Sequence, residues 1–260
     1  MYRNTFLSVM FLACCFNGSL CAQSDAQIYE RTCDAKTYPF SDPSPVATPN
    51  NSYYPYFRFD GFSMQAQEKQ WKMVVLENDY VKLTVTPEIG GKIWGAIDKV
   101  NNKEFVYTNG VVKFRDVAMR GPWTSGGIEF NFGIIGHAPT CSTPIDYLTK
   151  KNVDGSVSCH IFSYEWITRT VWNVEISLPK DKAYFTTHTT WFNQSSIDQP
   201  YYQWMNAGYA TKTGTRFYYP GTYSIGHSGD LHPYPIDEEG RDVSWYDNNN
   251  FGASKSLHII

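Results

Sequence analysis

The residues whose types best fit chemistry lie in one segment, 120–140, with the sequence RGPWTSGGIEFNFGIIGHAPT. Glu129 stands there between two apolar residues, and His137 follows a glycine further along. Burying a carboxylate without partners costs free energy. Glu129 therefore either pairs with a cation such as Arg115 or Arg120, or lines a pocket where a raised pKa is useful. In the second case Glu129 and His137 are the candidate groups for general acid–base catalysis.

Other polar and aromatic residues are candidates for contacts with a substrate. Asn131 and Asn206 carry amides that both donate and accept hydrogen bonds, although either could instead satisfy a neighbouring loop. Asp242 is the candidate second catalytic carboxylate, or it only orients Arg241 in a loop salt bridge. His227 repeats the Gly-His arrangement of the first segment. The predicted substrate contacts are Arg120, Trp123, Asn131, Asn206, His227, Arg241 and Trp245.

Several classes of chemistry lack their sequence signatures. The chain has no phosphate-binding loop and no dinucleotide fingerprint, and Ser125 is not set in a nucleophile elbow. No spacing of histidine and cysteine resembles a zinc site, so we predict neither a metal nor a cofactor. The net charge of −3, with 18% charged residues, is too small to indicate nucleic-acid or membrane-surface binding by electrostatics.

The aromatic content is high, at 17% of the 260 residues. Aromatic residues favour β-strands, so a large β core accounts for many of them. Flat rings also stack on the apolar faces of pyranose units, and the candidates for that role are Trp123, Trp204, Tyr209 and Trp245. Both interpretations can hold in one protein.

The N-terminus resembles an export signal over residues 1–22. Arg3 supplies a positive start, and the apolar stretch 6–16 is too short to span a bilayer. Cleavage near Ala22 would release a periplasmic or cell-surface protein, and a lipid anchor at Cys14 is the alternative. No later stretch is apolar enough for a transmembrane helix.

The part of the chain after the signal keeps the three cysteines Cys33, Cys141 and Cys159. An odd number cannot all pair internally. The sequence therefore leaves open one disulfide or a set of small buried thiols.

Residues 23–70 are predicted to form a lead-in to the main domain, which spans 71–260. The proline-rich stretch 42–51 reads as a linker or wrapping arm, and the aromatic stretch 53–59 is expected to dock onto the main body. From Trp71 onward, short alternating segments and no convincing amphipathic helix predict a large antiparallel sandwich. The predicted strands are 81–86, 92–98, 104–107, 156–170, 171–178, 183–192 and 201–210, with turns at 101–102, 109–110, 154–155 and 179–181.

The last residues, 255–260, have the sequence KSLHII, which predicts the first residues of a further strand. A strand cut off at its apolar residues leaves an open sheet edge. We therefore expect the sandwich to be truncated at its C-terminus.

Four segments together carry a family resemblance. NDYVKLTVTPEIGGKIWGAIDKVNNKEFVY at 78–107 resembles the opening of galactose mutarotase-like domains. SGGIEFNFGIIGH at 125–137, QWMNAGY at 203–209 and FYYPGTYSIGHSGDLHPYPIDEEGRDVSWY at 217–246 resemble a bacterial exported family within that group. That family is a domain of unknown function, often followed by tetratricopeptide repeats, and the resemblance covers about residues 70–260.

The resemblance implies an all-β fold, an antiparallel supersandwich with a concave sugar-binding face, and an oligosaccharide or polysaccharide as partner. Fold alone does not choose among the activities of this superfamily. Our leading hypothesis is a glycoside hydrolase-like enzyme, which needs an acid and a second carboxylate, here Glu129 with Asp242 or with a residue beyond Ile260. The alternatives are a non-catalytic carbohydrate-binding module and an aldose epimerase. Helical repeats, common downstream in relatives, are not expected within this sequence.

Overall fold

The computed structural model describes residues 24–49, 53–118, 120–133, 136–226 and 229–249, and the backbone of 258–259. Every regular element among them is a β-strand or a short 3-10 turn, so the predicted all-β class is confirmed. In chain order the strands are β1 (Gln27–Tyr38), β2 (Gln67–Glu77), β3 (Val81–Thr86), β4 (Lys92–Asp98), β5 (Lys103–Val106), β6 (Val112–Lys113), β7 (Arg115–Asp116), β8 (Pro122–Trp123), β9 (Ile128–Phe132), β10 (Asp146–Lys151), β11 (Val157–Glu165), β12 (Thr170–Leu178), β13 (Thr186–Asn193), β14 (Gln203–Ala207), β15 (Tyr223–Ile225), β16 (Leu231–Pro233) and β17 (His258–Ile259). The 3-10 turns are Pro87–Ile89, Pro139–Ser142 and Tyr246–Asn248.

The strands form two main sheets. The larger has eight strands in the order β14-β9-β4-β3-β2-β1-β6, with β5 added against β4. The smaller has four strands in the order β10-β11-β12-β13. A three-stranded sheet, β16-β15-β17, and the pair β7-β8 complete the described strands. All pairings are antiparallel except the short one between β1 and β6.

The two main sheets pack face to face around one apolar core. Strand β12 shows why the sheets pack in this way. From Thr170 to Leu178 its residues alternate strictly between buried and half-buried, so one face of the strand enters the core. Its buried residue Trp172 stacks on Phe132 of the larger sheet, with ring centroids 4.5 Å apart and planes 9° apart. The fold is therefore a β-sandwich, as the strand pattern predicted.

Most of the predicted strands and turns are confirmed. Strands 81–86 and 92–98 match β3 and β4, and the turns at 154–155 and 179–181 join antiparallel neighbours. The predicted strand 156–170 is wrong at its end. Glu165 accepts hydrogen bonds from the backbone N–H groups of Ile167 and Thr168, which turns the chain between β11 and β12.

The hairpin predicted at 109–110 is also wrong. Strand β5 pairs with β4, whereas β6 crosses the sheet and pairs with β1. The Asn109 side chain donates to the carbonyl of Ser125 at 2.6 Å, so it ties two loops together instead of closing a two-residue turn.

Part of the lead-in belongs to the larger sheet. Strand β1 pairs with β2 from Gln27 to Thr37, and most of its residues are exposed, so no apolar alternation marks it in the sequence. The stretch 53–59 contacts the main domain as expected, because the buried Phe57 ring lies against Gly121, and the ring centroids of Tyr54 and Trp166 are 6.1 Å apart.

The ends of the chain and its relation to a membrane are described only in part. The signal and the lipid-anchor alternative at Cys14 lie outside the described residues, and of the C-terminal strand only 258–259 are described, paired with β15. No helix in the described ranges is long or apolar enough to cross a membrane. The same ranges contain no α-helix and hence no helical repeat.

Cys33, Cys141 and Cys159 are all free thiols. Burial raises the pKa of Cys141 and of Cys159 to about 12, while Cys33 is half-buried. At pH 8 a thiol of that pKa is ionised to about one part in ten thousand, and the thiolate is the reactive form.

We expect iodoacetamide at pH 8 to alkylate Cys33 in the native protein and to spare Cys141 and Cys159 until guanidinium unfolds the chain. Peptide mapping by mass spectrometry measures the modification at each site. Equal labelling of all three thiols in native protein, or a disulfide-linked pair of peptides, would contradict this expectation.

Candidate functional site

Strand β9 carries the candidate residues on the face of the larger sheet that points away from the sandwich core. Ile128, Phe130 and Phe132 enter the core, so the alternation of a strand places Glu129 and Asn131 on the opposite face. The edge strand β14 pairs with β9, and two of its residues lie directly opposite Glu129 and Asn131. Asn206 faces Glu129, and Trp204 faces Asn131.

Glu129 is 2% exposed and is surrounded by hydrogen-bond donors. Its Oε2 accepts from Trp123 Nε1 at 2.6 Å. Its Oε1 accepts from Asn131 Nδ2 at 2.8 Å and lies 2.9 Å from His137 Nδ1. Asn206 Nδ2 is a longer contact to the same oxygen, at 3.5 Å. Both carboxylate oxygens are therefore already engaged.

A buried lysine supplies the counter-charge. Lys92, at the start of β4, is 1% exposed, and its Nζ lies 3.7 Å from Glu129 Oε2. The ammonium also donates to the backbone carbonyl of Thr124 and, at 3.0 Å, to the Thr124 hydroxyl. The cations proposed from the sequence contact other groups: Arg115 donates to the Phe114 carbonyl, and Arg120 to that of Ala118.

The electrostatics of the cluster favour an ionised Glu129. Burial, the largest influence, would raise the pKa of the Glu129 carboxyl, but the hydrogen bond from His137, the charge of Lys92 and the bond from Asn131 outweigh it. The net result is a pKa below the usual range. Burial lowers the pKa of the Lys92 ammonium, and the charge of Glu129 opposes that shift.

His137 is the more accessible partner, with 23% of its side chain exposed. An ionised carboxylate only accepts hydrogen bonds, so the Nδ1 that faces Glu129 carries the proton and donates it. In the neutral ring Nε2 then carries the lone pair, and no described residue hydrogen-bonds it. The imidazole lies edge-on to Trp204 and Trp123, with ring centroids 4.8 and 6.2 Å away.

The Gly-Gly pair before β9 lets the backbone adopt the conformation that this site needs. Gly127 has φ +66°, and a Cβ there would lie 2.4 Å from the carbonyl oxygen of Ile93. Its N–H donates to Tyr107 and its carbonyl accepts from Gly208, each at 2.8 Å. Only glycine allows the chain to pass this close to β4 and β14.

The structure brings part of the predicted set together. Glu129, His137, Trp123, Asn131 and Asn206 form one cluster, here called the Glu129 cluster together with Lys92 and Trp204. Lys92 is the member that sequence reasoning missed, whereas Trp204 is one of the predicted stacking candidates. The signal available for Lys92 was its place directly after Gly90–Gly91, at the head of an apolar strand.

The remaining predicted residues make their contacts elsewhere. Asp242 accepts from Ser244 and lies 3.5 Å from Arg216, and Arg241 pairs with Asp237 at 2.7 Å. Trp245 packs against the Arg216 guanidinium. None of these contacts joins the Glu129 cluster, and the substrate roles stay predictions.

Two other predicted residues have different outcomes. Arg120 packs over the Tyr53 ring at 5.1 Å. His227 lies outside the described residues. Among the described residues no group of histidine, cysteine and carboxylate side chains is arranged to hold a metal ion.

A cleft of about 450 Å³ lies on the same outward face of the larger sheet as the Glu129 cluster. Strand β4 links the two, because Lys92 belongs to the cluster and Trp94 lines the cleft. Polar side chains of neighbouring elements also line it, among them Arg31, Thr84 and Asn109. The outward face thus offers a groove of mixed polar and aromatic character on the same face as the cluster.

The fold and this cluster define a β-sandwich domain with a buried acid–lysine–histidine site on the outward face of its larger sheet. The family model of the domain of unknown function DUF5107 matches residues 48–260. The chain therefore belongs to the DUF5107 family.

Among solved structures, the chain is similar to a TPR-domain-containing protein from Parabacteroides distasonis ATCC 8503. The TM-score is 0.72 at 25% sequence identity over 85% of this chain. The matched region spans 38% of that protein's length. This agrees with the expectation that domains of this family occur beside tetratricopeptide repeats.

Proposed function

We propose that this domain binds a carbohydrate on the outward face of its larger sheet and that His137 is the side chain that meets it at the Glu129 cluster. The observation that carries the proposal is the geometry of His137. Its Nδ1 is tied to a buried carboxylate, no described residue hydrogen-bonds its Nε2, and its ring lies edge-on to Trp123 and Trp204. Aromatic faces and directed polar groups are what recognition of a polyhydroxylated ring requires.

Two further considerations support a sugar ligand. The groove beside the cluster combines Trp94 with hydrogen-bonding side chains and lets more than one sugar unit lie along the face. The sequence resemblance to galactose mutarotase-like domains implies the same ligand class on the concave face of such a sandwich. We propose that the domain belongs to that superfamily and that the protein is exported to the periplasm or the cell surface.

A catalytic function is the second candidate, and the fixed tautomer of His137 favours it. A neutral imidazole held through Nδ1 presents a lone pair at Nε2, the arrangement of a general base, and its protonated form is a general acid. Glu129 would then position His137 instead of transferring protons, because its two oxygens are occupied and its pKa is lowered. Anomer interconversion needs such an acid and base, while glycoside hydrolysis also needs a second carboxylate, for which Asp242 is the proposed residue.

The test compares His137→Ala with His160→Ala. His160 lies in the smaller sheet and exposes a similar fraction of its side chain, 25%. We expect His137→Ala to weaken by about tenfold the binding of whichever glucose, galactose, mannose or xylose trisaccharide binds the wild type, and His160→Ala to leave it unchanged. Saturation-transfer NMR and calorimetry measure the binding.

The same samples separate the remaining alternatives. Binding without turnover favours a binding module, whereas NMR detection of anomer exchange or of released monosaccharide identifies an epimerase or a hydrolase. Unchanged affinity in His137→Ala would refute the assignment of His137 to the sugar contact.

A further inference from the structure

A second cleft, of about 530 Å³, backs onto the Glu129 cluster across strand β8. Pro122 lines this cleft, while the next residue, Trp123, donates to Glu129. Consecutive side chains of a strand point to opposite sides. Pro122 and Trp123 therefore point to opposite sides of β8, one to the second cleft and the other to the Glu129 cluster.

Aromatic rings dominate the lining of the second cleft. Three are buried, namely Phe57, Trp71 and Phe114, and Phe40 is partly buried beside them. Two others are open to solvent, with Trp166 63% and Tyr54 49% exposed. Their ring centroids lie 6.1 Å apart with the planes inclined at 62°, so they form a corner that a flat apolar face can contact on two sides.

A buried hydroxyl lacks a partner in this cleft. Ser142 lines it, is 4% exposed, and its Oγ has no hydrogen-bond partner among the described residues. The adjacent Cys141 thiol is at most a weak acceptor. Leaving a buried hydroxyl unpaired costs free energy, and a ligand hydroxyl seated in the cleft would remove that cost.

Of the four charged side chains that line the cleft, Asp42 is exposed to solvent, and the other three are already engaged. Glu165 accepts backbone hydrogen bonds of its own turn, Glu88 accepts from the backbone of Lys72 at 2.5 Å, and the Lys69 ammonium lies 3.8 Å from the centre of the Trp71 ring. What remains is an aromatic surface with hydroxyl side chains and no unmatched buried charge. That composition suits an uncharged, polyhydroxylated ring better than an ionic ligand.

We propose that this cleft is a second saccharide-binding site, in which a neutral sugar ring packs against Trp166 and Tyr54 and hydrogen-bonds Ser142 Oγ. The site is separate from the one at His137, although it takes the same ligand class as the proposed function. A volume of about 530 Å³ falls within the range of small-molecule pockets and accommodates a short oligosaccharide.

The experiment is run in the His137→Ala protein, so that the second cleft is measured by itself. The probes are the same four trisaccharides and a proline decamer, which tests the rival occupant of an aromatic cleft. We expect one trisaccharide to bind the His137→Ala protein. Adding Trp166→Ala should weaken it more than about tenfold, and adding Ser142→Ala by about fivefold.

Two controls distinguish a ligand contact from a structural role. Phe192→Ala removes a ring of β13 that is 60% exposed, and it should leave binding unchanged. Ser142→Ala should not lower the thermal midpoint of the free protein, because its hydroxyl has no partner to lose.

Three results would overturn the second site. The first is the absence of trisaccharide binding in His137→Ala protein, and the second is residual binding that is indifferent to Trp166→Ala. The third is Trp166-dependent binding of the proline decamer alone. Separately, wild-type binding that depends on Trp166 but not on His137 would refute the proposed role of His137 and leave the second site standing.

Discussion

Glu129→Gln should lower the free energy of unfolding by about 3–5 kcal/mol, the range for removing one partner of a buried ion pair. The substitution keeps the shape of the side chain but removes the charge that compensates Lys92. It also replaces one carboxylate oxygen with an amide NH2, which then faces a group that itself donates, either Trp123 Nε1 or Asn131 Nδ2. Urea unfolding followed by tryptophan fluorescence measures the change.

A double-mutant cycle with Lys92→Met isolates the ion pair from the rest of the cluster. Each single variant leaves one buried charge without its partner, whereas the double variant leaves neither. The double variant should therefore be more stable than the sum of the single effects predicts, by more than about 1 kcal/mol. Strict additivity would show that the two side chains do not interact.

The pH dependence of stability gives an independent readout of the same carboxylate. The folded-state pKa of Glu129 is lowered, so its contribution is present above the unfolded pKa of about 4.3 and is lost as the pH falls through the lower folded value. Below about pH 4 the wild type should lose stability more steeply than Glu129→Gln. Parallel acid profiles would contradict an ionised Glu129 in the native state.

Gly127→Ala should destabilise the domain by about 3–5 kcal/mol, or prevent folding, because two penalties coincide. An L-residue at φ +66° is strained, and its Cβ would lie 2.4 Å from the backbone oxygen of Ile93. That oxygen belongs to β4 and cannot move away without disturbing the sheet. Soluble yield and the urea midpoint measure the effect.

Two other glycines separate these penalties. Gly214 also has a positive φ, +82°, but nothing lies within 4 Å of a Cβ there, so Gly214→Ala reports the backbone strain alone, about 1 kcal/mol. Gly110 has open space and no positive φ, and Gly110→Ala should change stability by less than about 0.5 kcal/mol. A Gly127→Ala effect no larger than that of Gly214→Ala would rule out the backbone clash.

Local pattern was sufficient for much of the fold. The alternation of Val81, Leu83 and Val85 located β3 within the sandwich, since each alternate residue enters the core. The prediction of a hairpin turn at 109–110 was wrong because Asn-Gly also occurs in loops that a distant residue holds in place. Here Asn109 donates to the carbonyl of Ser125, which is distant in sequence. Strand β1 had no pattern to detect, because most of its residues are exposed.

The sequence was sufficient to predict the buried carboxylate of the candidate site, Glu129, and its partner His137. A glutamate between two core residues indicates burial, and His137 lies close enough in sequence to be paired with it. The cation was not predictable by the same reasoning, because a lysine at the head of a strand ordinarily points to solvent. Lys92 meets Glu129 because strand β4 pairs with β9. The local sequence of either strand does not show which distant strand it will pair with.

The N-terminal strand has a consequence for where this domain begins. The family match starts at residue 48, whereas β1 covers the edge of β2 between residues 27 and 37. A recombinant domain cut at residue 48 would expose the hydrogen-bonding groups of β2 as a long open edge, which is a template for intermolecular pairing. Aggregation of such a fragment would therefore report a misplaced boundary, and it would say nothing about the stability of the intact sandwich.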